Sequence, residues 1–485
     1  MKFTARKATA WLLALGMFAF SGSALATNGY FTHGVGTQSK GMAGTGVGSN
    51  ADMGAIMSAS NPALGVFVDD RWEVGLSIFS PRRSFVAGPS QLNGNLIPID
   101  PDNNVFLPSH TILPGEYDSS SEYFPIPFVA KNWSLANDAN ITAAFYGRGG
   151  MNTDWDNSNL TATSYFCGGN PQLGEPPATG PGPYCAGKAG VDLSQAFLTL
   201  NYSTKVGDNF AWGIGPVFAV QVFEANGVQT FQAVSKTCVS TFDPLTGGCT
   251  LPTSLSNNGH DMSIGWGLAG GIWWGMSDRV SVGLAYQSKM SMGEFDDYAD
   301  LYAQAGGFDI PSSIKAGISF IATDALRVNF DIEQTAFSEV DSVGNPMANL
   351  FSCPAVPGGT DIESCLGGAR GAGFGWDDMT TFKLGFEWRQ HETNTWRFGY
   401  SYGEQPVQAA DVLFNILAPG VMEQHITFGL TRQAASGGVW HFSFMYAPEK
   451  SVTGPSAFDP GPDFMSPQLI ELKMSQLEFE VSYSF

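Results

Sequence analysis

Apolar and polar side chains take turns along most of this chain. At the C-terminus Leu477, Phe479, Val481, Tyr483 and Phe485 interleave with Glu478, Glu480, Ser482 and Ser484, so an extended segment would be oily on one face and acidic on the other. The same period of two runs through Leu326, Val328, Phe330 and Ile332 against Arg327, Asn329, Asp331 and Glu333, and through Leu384, Phe386 and Trp388 against Lys383, Glu387 and Arg389. Fourteen segments read as strands in this way: 72–80, 122–131, 140–148, 192–204, 209–224, 262–275, 279–290, 312–322, 325–336, 379–390, 395–403, 422–432, 437–447 and 472–485. Their connections alternate, long at 81–121 and 149–191 and short at 132–139 and 205–208.

Beyond Ala26 no apolar run is long enough to span a bilayer as a helix; Trp266–Met276 is too short and too rich in Gly. Yet only 14% of the 485 residues are charged while 13% are aromatic, a surface suited to lipid. The spanning structure left is a closed β-barrel, apolar outside and polar inside, with an even strand number. The expectation is therefore an all-β fold: a 14-stranded antiparallel transmembrane barrel of the bacterial outer membrane. Long loops belong outside the cell and short turns in the periplasm, which puts the C-terminus and the chain before Arg71 on the periplasmic side.

Residues 1–26 read as a secretory signal peptide: Lys2, Arg6 and Lys7, an apolar stretch from Ala10 to Phe20, and Ala24-Leu25-Ala26 as the cleavage site. The domain reading is thus 1–26 signal peptide, 27–71 N-terminal plug, 72–485 barrel. The plug is inferred because 27–71 is rich in Gly and Met and poor in charge, suited to close packing within a lumen, whereas disordered tails carry more charge. A net charge of −21 argues against a nucleic-acid partner, since phosphate binding rests on clustered Lys and Arg.

Six cysteines fall two to a long loop: Cys167 and Cys185, Cys238 and Cys249, Cys353 and Cys365. Fifteen connectivities are possible; loop-local pairing suits an oxidising compartment. The spacings lack a C-x-x-C knuckle and no His is close in sequence, so no metal site is expected, and no cofactor either.

The chain resembles the FadL-like outer-membrane transporters of long-chain fatty acids and aromatic hydrocarbons. The likeness is carried by Asn28-Gly29-Tyr30-Phe31 through Gly41-Met42-Ala43-Gly44 into Asn61-Pro62-Ala63, by Arg397-Phe398-Gly399-Tyr400 with Pro406-Val407, and by the terminal Phe485. It implies a barrel closed by an N-terminal hatch containing Asn61, Pro62 and Ala63. It also implies energy-independent passage of hydrophobic molecules from a groove between outer loops to a pocket touched by Thr27, Asn28, Gly29, Tyr30 and Phe31.

Loop 291–311 offers a capture element, with Met292, Phe295, Tyr298, Leu301 and Tyr302 on one face of a short amphipathic helix, or else a solvated acidic loop. A carboxylate ligand would need an inward cation; by parity Arg279, Arg327, Lys383, Arg389 and Arg397 qualify, though acidic neighbours such as Glu333, Glu387 and Glu478 suggest lumen ion pairs. Two other readings stay open. Gly399-Tyr400-Ser401-Tyr402-Gly403 fits G-x-S-x-G and, with His391, His425 or His441, would suit a barrel-embedded lipid hydrolase, but it sits in an alternating strand, not a sharp elbow. A general porin with a constricting segment is the other. Lipopolysaccharide, met partly through divalent cations, and the barrel-assembly machinery, met through Phe485, are the remaining expected partners.

Overall fold

The computed structural model describes residues 27–100, 105–435 and 437–485; the leader expected at 1–26 lies outside them. Fourteen long strands make the wall: β1 (Arg71–Ala87), β2 (Phe124–Leu135), β3 (Ala139–Asn152), β4 (Gly190–Lys205), β5 (Phe210–Asn226), β6 (Asp261–Gly275), β7 (Val280–Gln287), β8 (Ser313–Thr323), β9 (Leu326–Thr335), β10 (Met379–His391), β11 (Asn394–Gly403), β12 (Gln424–Gln433), β13 (Val439–Pro455) and β14 (Leu469–Ser484). Each pairs antiparallel with the next. β14 then closes on β1 from Ile470↔Ala87 to Ser484↔Glu73, so the sheet returns on itself as a barrel.

The strands rise where side chains alternate because one face has to meet lipid and the other the lumen. Leu477 and Phe479 are exposed while Glu478 and Glu480 are buried, as the sequence requires. Exposed rings crowd the short-turn rim: Trp72, Trp133, Trp212, Trp274, Trp388 and Trp440, the girdle of a membrane–water boundary. Among the described residues no helix is long and apolar enough to cross a membrane.

The interior has two levels. Toward the short-turn end the inward residues are polar, among them Glu73, Ser77, Glu387, Arg397, Glu478 and Glu480. Toward the long-loop end they turn apolar, with Phe79, Phe85, Phe223, Ile470 and Leu472 fully covered. That second level departs from the expected polar-in rule, because the long loops fold over it and exclude water.

The loops are tied by three disulfides, Cys167–Cys185, Cys238–Cys249 and Cys353–Cys365, which is the loop-local pattern. The turn at Val412–Asn415 is their hub: Trp155 Nε1 donates to the Ile416 carbonyl at 2.9 Å and Tyr184 Oη to that of Leu413 at 2.8 Å. The fold also brings His110 beside Cys167 and Cys185, a neighbour that sequence distance concealed; with both sulfurs in a disulfide, they are not thiolate ligands.

Candidate functional site: a filled lumen beneath two apolar cavities

Residues 28–68 are buried almost throughout and lie against the inward faces of the strands. A two-residue hairpin pairs Thr27↔Thr32 and Asn28↔Phe31; a helical turn, Thr37–Lys40, and two 3-10 turns, Ala55–Ala59 and Pro62–Phe67, follow. Asn61 holds the last of these in place. Its Oδ1 caps the turn by accepting from Ala63 N at 3.1 Å, and its Nδ2 donates to Val47 O at 2.9 Å and to Ile272 O of β6 at 3.2 Å, while Pro62 opens the turn without needing a donor.

Close approach is possible because the wall is glycine where this backbone touches it. A Cβ on Gly283 would strike the Val47 carbonyl, one on Gly399 the Met42 carbonyl carbon, and one on Gly213 would lie 2.5 Å from the Pro62 carbonyl carbon. Ion pairs complete the seat. Lys40 Nζ, 5% exposed, lies 2.5 Å from Glu478 Oε1 and 2.6 Å from Glu480 Oε2; Ser77 and Thr37 donate to the same carboxylates at 2.5 and 2.7 Å. Burial acts to lower the Lys40 pKa, but the two carboxylates outweigh it and hold the ammonium above its ordinary range. His33, 3.4 Å from Glu478, is kept neutral, its pKa lowered to about 3 by burial and then by the charge of Lys40.

Beneath this packing, at the short-turn mouth, is a polar chamber of about 1050 Å³ bordered by Gln38, Arg71, Arg327, Glu387 and Arg389. Above it are two smaller, apolar spaces. The inner one, about 320 Å³, is bounded by Gly29, Tyr30, Phe79, Arg83, Trp376 and Met474. The outer one, about 500 Å³ among the loops, is bounded by Tyr184, Phe231, Leu301, Tyr302, Phe374 and Phe414. A chain of tilted ring contacts joins them: Tyr302 to Phe308 at 5.0 Å, Phe308 to Tyr30 at 6.2 Å, and Tyr30 to Trp376 at 5.8 Å.

Of the residues singled out from sequence, Gly29 and Tyr30 border the inner cavity, and Phe31 packs beside it on Phe337 with the Arg148 guanidinium over its ring at 4.8 Å. Leu301 and Tyr302 border the outer cavity. Phe295 and Tyr298 instead share Phe223 with Tyr302: Phe295 and Tyr302 meet its ring at a tilt, 5.4 and 4.8 Å away, and Tyr298 meets it edge-on at 4.8 Å. The expected amphipathic helix at 291–311 does not form. Gln304 and Ala305 take left-handed backbone angles, and Phe295 N bonds Gly306 O at 2.8 Å, folding the segment into a loop closed on itself.

Two of the inward cations need correction. Arg279 and Arg389 are exposed near short turns. Lys383 is paired with Glu333 at 2.6 Å and Arg397 with Glu387 at 2.8 Å, as lumen ion pairs. Glu478 serves Lys40, a partner that strand parity could not supply. Ser401 Oγ does lie 3.1 Å from His425 Nδ1, but Ser401 lies within strand β11 and not on the sharp strand-to-helix turn a nucleophile elbow requires. Arg83 and Trp376 went unnoticed in the sequence. Arg83 lies past the expected end of its strand, and Trp376 is in a loop without periodicity.

The wall is incomplete at one place. β2 and β3 pair from Leu135↔Ala139 only as far as Phe128↔Tyr146; residues 124–127 include Pro125 and Pro127, which lack N–H donors, and β3 bulges at Arg148. The N-terminal hairpin meets this stretch from within, Phe31 pairing with Gly149.

Comparison with known proteins agrees with this architecture. No curated protein matches in sequence. Among solved structures, the toluene transporter TodX of Pseudomonas putida superposes with a TM-score of 0.58 at 15% identity, covering 93% of this chain and 98% of that one. A Pseudomonas aeruginosa FadL homologue gives 0.59 at 16%, covering 94% and 99%, and the Ralstonia pickettii toluene transporter TbuX 0.54 at 15%, covering 93% and 98%. The sequence family described as outer membrane protein transport protein (OMPP1/FadL/TodX) matches residues 177–453, more than half the chain, and this outer-membrane barrel belongs to it.

Proposed function

We propose that the protein lets hydrophobic small molecules cross the outer membrane without an energy source, and that residues 27–71 act as the hatch that denies the same path to water and ions. The observation that carries this reading is the order of spaces along the axis: an apolar cavity among the loops, a ring-lined connection, an apolar cavity at Tyr30, and then a lumen filled by salt-bridged chain. Removing apolar surface from water is favourable by about 25 cal/mol per Å², so an oily solute is drawn into the loop cavity and inward, and the polar chamber beneath offers it nothing. The interrupted β2–β3 pairing is the nearest outlet to lipid.

A general porin fits less well, since its lumen would be open at this level. Deleting 28–65 in planar bilayers tests the hatch: a large ionic conductance absent from the intact protein is expected, and an already conducting wild type that changes little would indicate a porin. Uptake of a labelled alkane or fatty acid by liposomes carrying the protein tests the cargo, with empty liposomes as the baseline.

A further inference from the structure

The polar chamber at the short-turn mouth, about 1050 Å³, has no part in drawing an oily solute inward. Four guanidiniums and three carboxylates border it, in a chain whose net charge is −21. Two of the four are neutralised, Arg71 by Asp52 at 2.7 Å and Arg397 by Glu387 at 2.8 Å. Arg327 and Arg389 have no carboxylate within ion-pair distance among the described residues. The third carboxylate, Glu392, is exposed at the β10–β11 turn and is likewise without an ion-pair partner among the described residues.

Neutral groups alone hold Arg327. Its Nη1 donates to Ser49 Oγ at 3.1 Å, Asn50 Oδ1 at 3.0 Å and Ser319 Oγ at 3.2 Å. Such oxygens orient a guanidinium without cancelling its charge, and they leave Nε and Nη2 for the paired bonds that an oxyanion accepts. The Arg389 side chain has no hydrogen-bond partner among the described residues. Register brings the two arginines together. Arg327 is opposite Glu387, and Arg389 follows two residues later on the same face of β10. They are therefore diagonal neighbours about 7–8 Å apart, within reach of long side chains, and their charges act on each other. Glu387, the carboxylate beside both, is taken by Arg397.

Two adjacent guanidiniums facing water in this way suit an anion that carries two charges. A terminal phosphate brings close to two negative charges at neutral pH and three acceptor oxygens, enough to serve both forks at once. A lone carboxylate brings one charge and two oxygens. We infer that the chamber is a phosphate site in which Arg327 and Arg389 together hold the dianion of free phosphate or of a phosphomonoester. Ser49 and Asn50 belong to the N-terminal segment, so the site is complete only with that segment in place. The assignment does not depend on what passes through the barrel.

The test is calorimetric titration of inorganic phosphate, glycerol 3-phosphate and acetate, at matched ionic strength, into the full-length protein in phosphatidylcholine nanodiscs. The buffer is phosphate-free at about pH 8, above the second phosphate pKa of about 6. The proteins compared are wild type, Arg327→Met, Arg389→Met and, as a control, Arg279→Met, an exposed arginine that does not border the chamber. Each is checked first for the heat-modifiable gel mobility of a folded barrel. The expected result is saturable binding of one phosphate per barrel by wild type and R279M, weaker binding of acetate, and a loss of about 10- to 100-fold in R327M and in R389M. R327M also removes contacts to the N-terminal segment; R389M removes none, so its loss reports the ligand alone. Glycerol 3-phosphate tighter than phosphate supports the site with a phosphomonoester as its ligand, and equal or weaker binding supports it with free phosphate. No saturable phosphate binding at millimolar concentration, acetate bound as tightly as phosphate, or wild-type affinity in R389M would overturn the assignment.

Discussion

Lys40→Met is the most direct test of the proposed hatch and its seat. Lys40 Nζ is held between two carboxylates at 2.5 and 2.6 Å in a site with side-chain exposures of 5% and 2%. Methionine keeps the length of the chain and removes the charge, leaving Glu478 and Glu480 facing each other without a cation. Taking one partner from a buried pair typically costs about 3–5 kcal/mol. Because both carboxylates are on β14 and the ammonium is on the N-terminal segment, this cost falls, on the proposed reading, on the seated state relative to the released one. At 1.4 kcal/mol per factor of ten, the seated-to-released ratio should drop by about two to four orders of magnitude. Single-channel recording should show brief large openings in K40M that are rare in wild type, and the triple variant K40M/E478Q/E480Q, which removes all three charges of this contact, should be quiet again. If K40M is as silent as wild type, or if the triple variant opens as often as K40M, the ion pair is not what holds the hatch.

Other outcomes follow from the same geometry. His33 is neutral when seated, its pKa near 3, against 6.5 when free. The released state therefore binds more protons between these values, and seating should weaken as pH falls from 6.5 toward 3, by up to about 1.4 kcal/mol per pH unit; His33→Gln should flatten that dependence in the same recordings. Gly29 has φ +65 and faces Phe337 and Trp376 so closely that a Cβ would sit 3.2 Å from the Trp ring. Gly29→Val should displace the hairpin and lower apolar-ligand binding at least about tenfold, given about 1–2 kcal/mol of backbone strain plus the clash, with barrel mobility on gels unchanged. Replacing Cys353 and Cys365 by Ser, both fully buried, should remove about 2–4 kcal/mol from the loop cap alone, visible as protease cleavage within 336–378 in an otherwise intact barrel. Removing Phe485, whose backbone pairs with Trp72 and whose ring is 60% exposed, should lower the yield of assembled barrel in cells; an unchanged yield would mean that assembly does not read this residue.

The strands were legible because lipid imposes one rule on every outward position, as at Leu477 and Phe479. Legibility fails where that rule stops. β1 runs to Ala87 and β13 to Pro455, past the expected ends at 80 and 447, because their outer thirds carry Phe85 and Ala87 inward under the loops and a bulge between Ala447 and Lys450 breaks the alternation. Arg83 falls in that stretch and was lost with it. The N-terminal segment could be recognised from its Gly and Met content, but its partners could not: Lys40 meets residues about 440 positions away, a contact that only barrel closure creates. The cavity borders come from loops whose order is set by Trp155, Tyr184 and Asn415, and nothing periodic marks those.

The bare stretches of wall at Gly213, Gly283 and Gly399 have a mechanical meaning. Backbone rests on backbone there, with no rotamers in between that could yield by degrees. A contact of this kind is either made or broken, so the N-terminal segment should leave its seat as one body and return as one body, with few half-open states between. Its departure would also expose wall without side chains, giving the vacated bore a girth set by main chain and making any leak abrupt and wide.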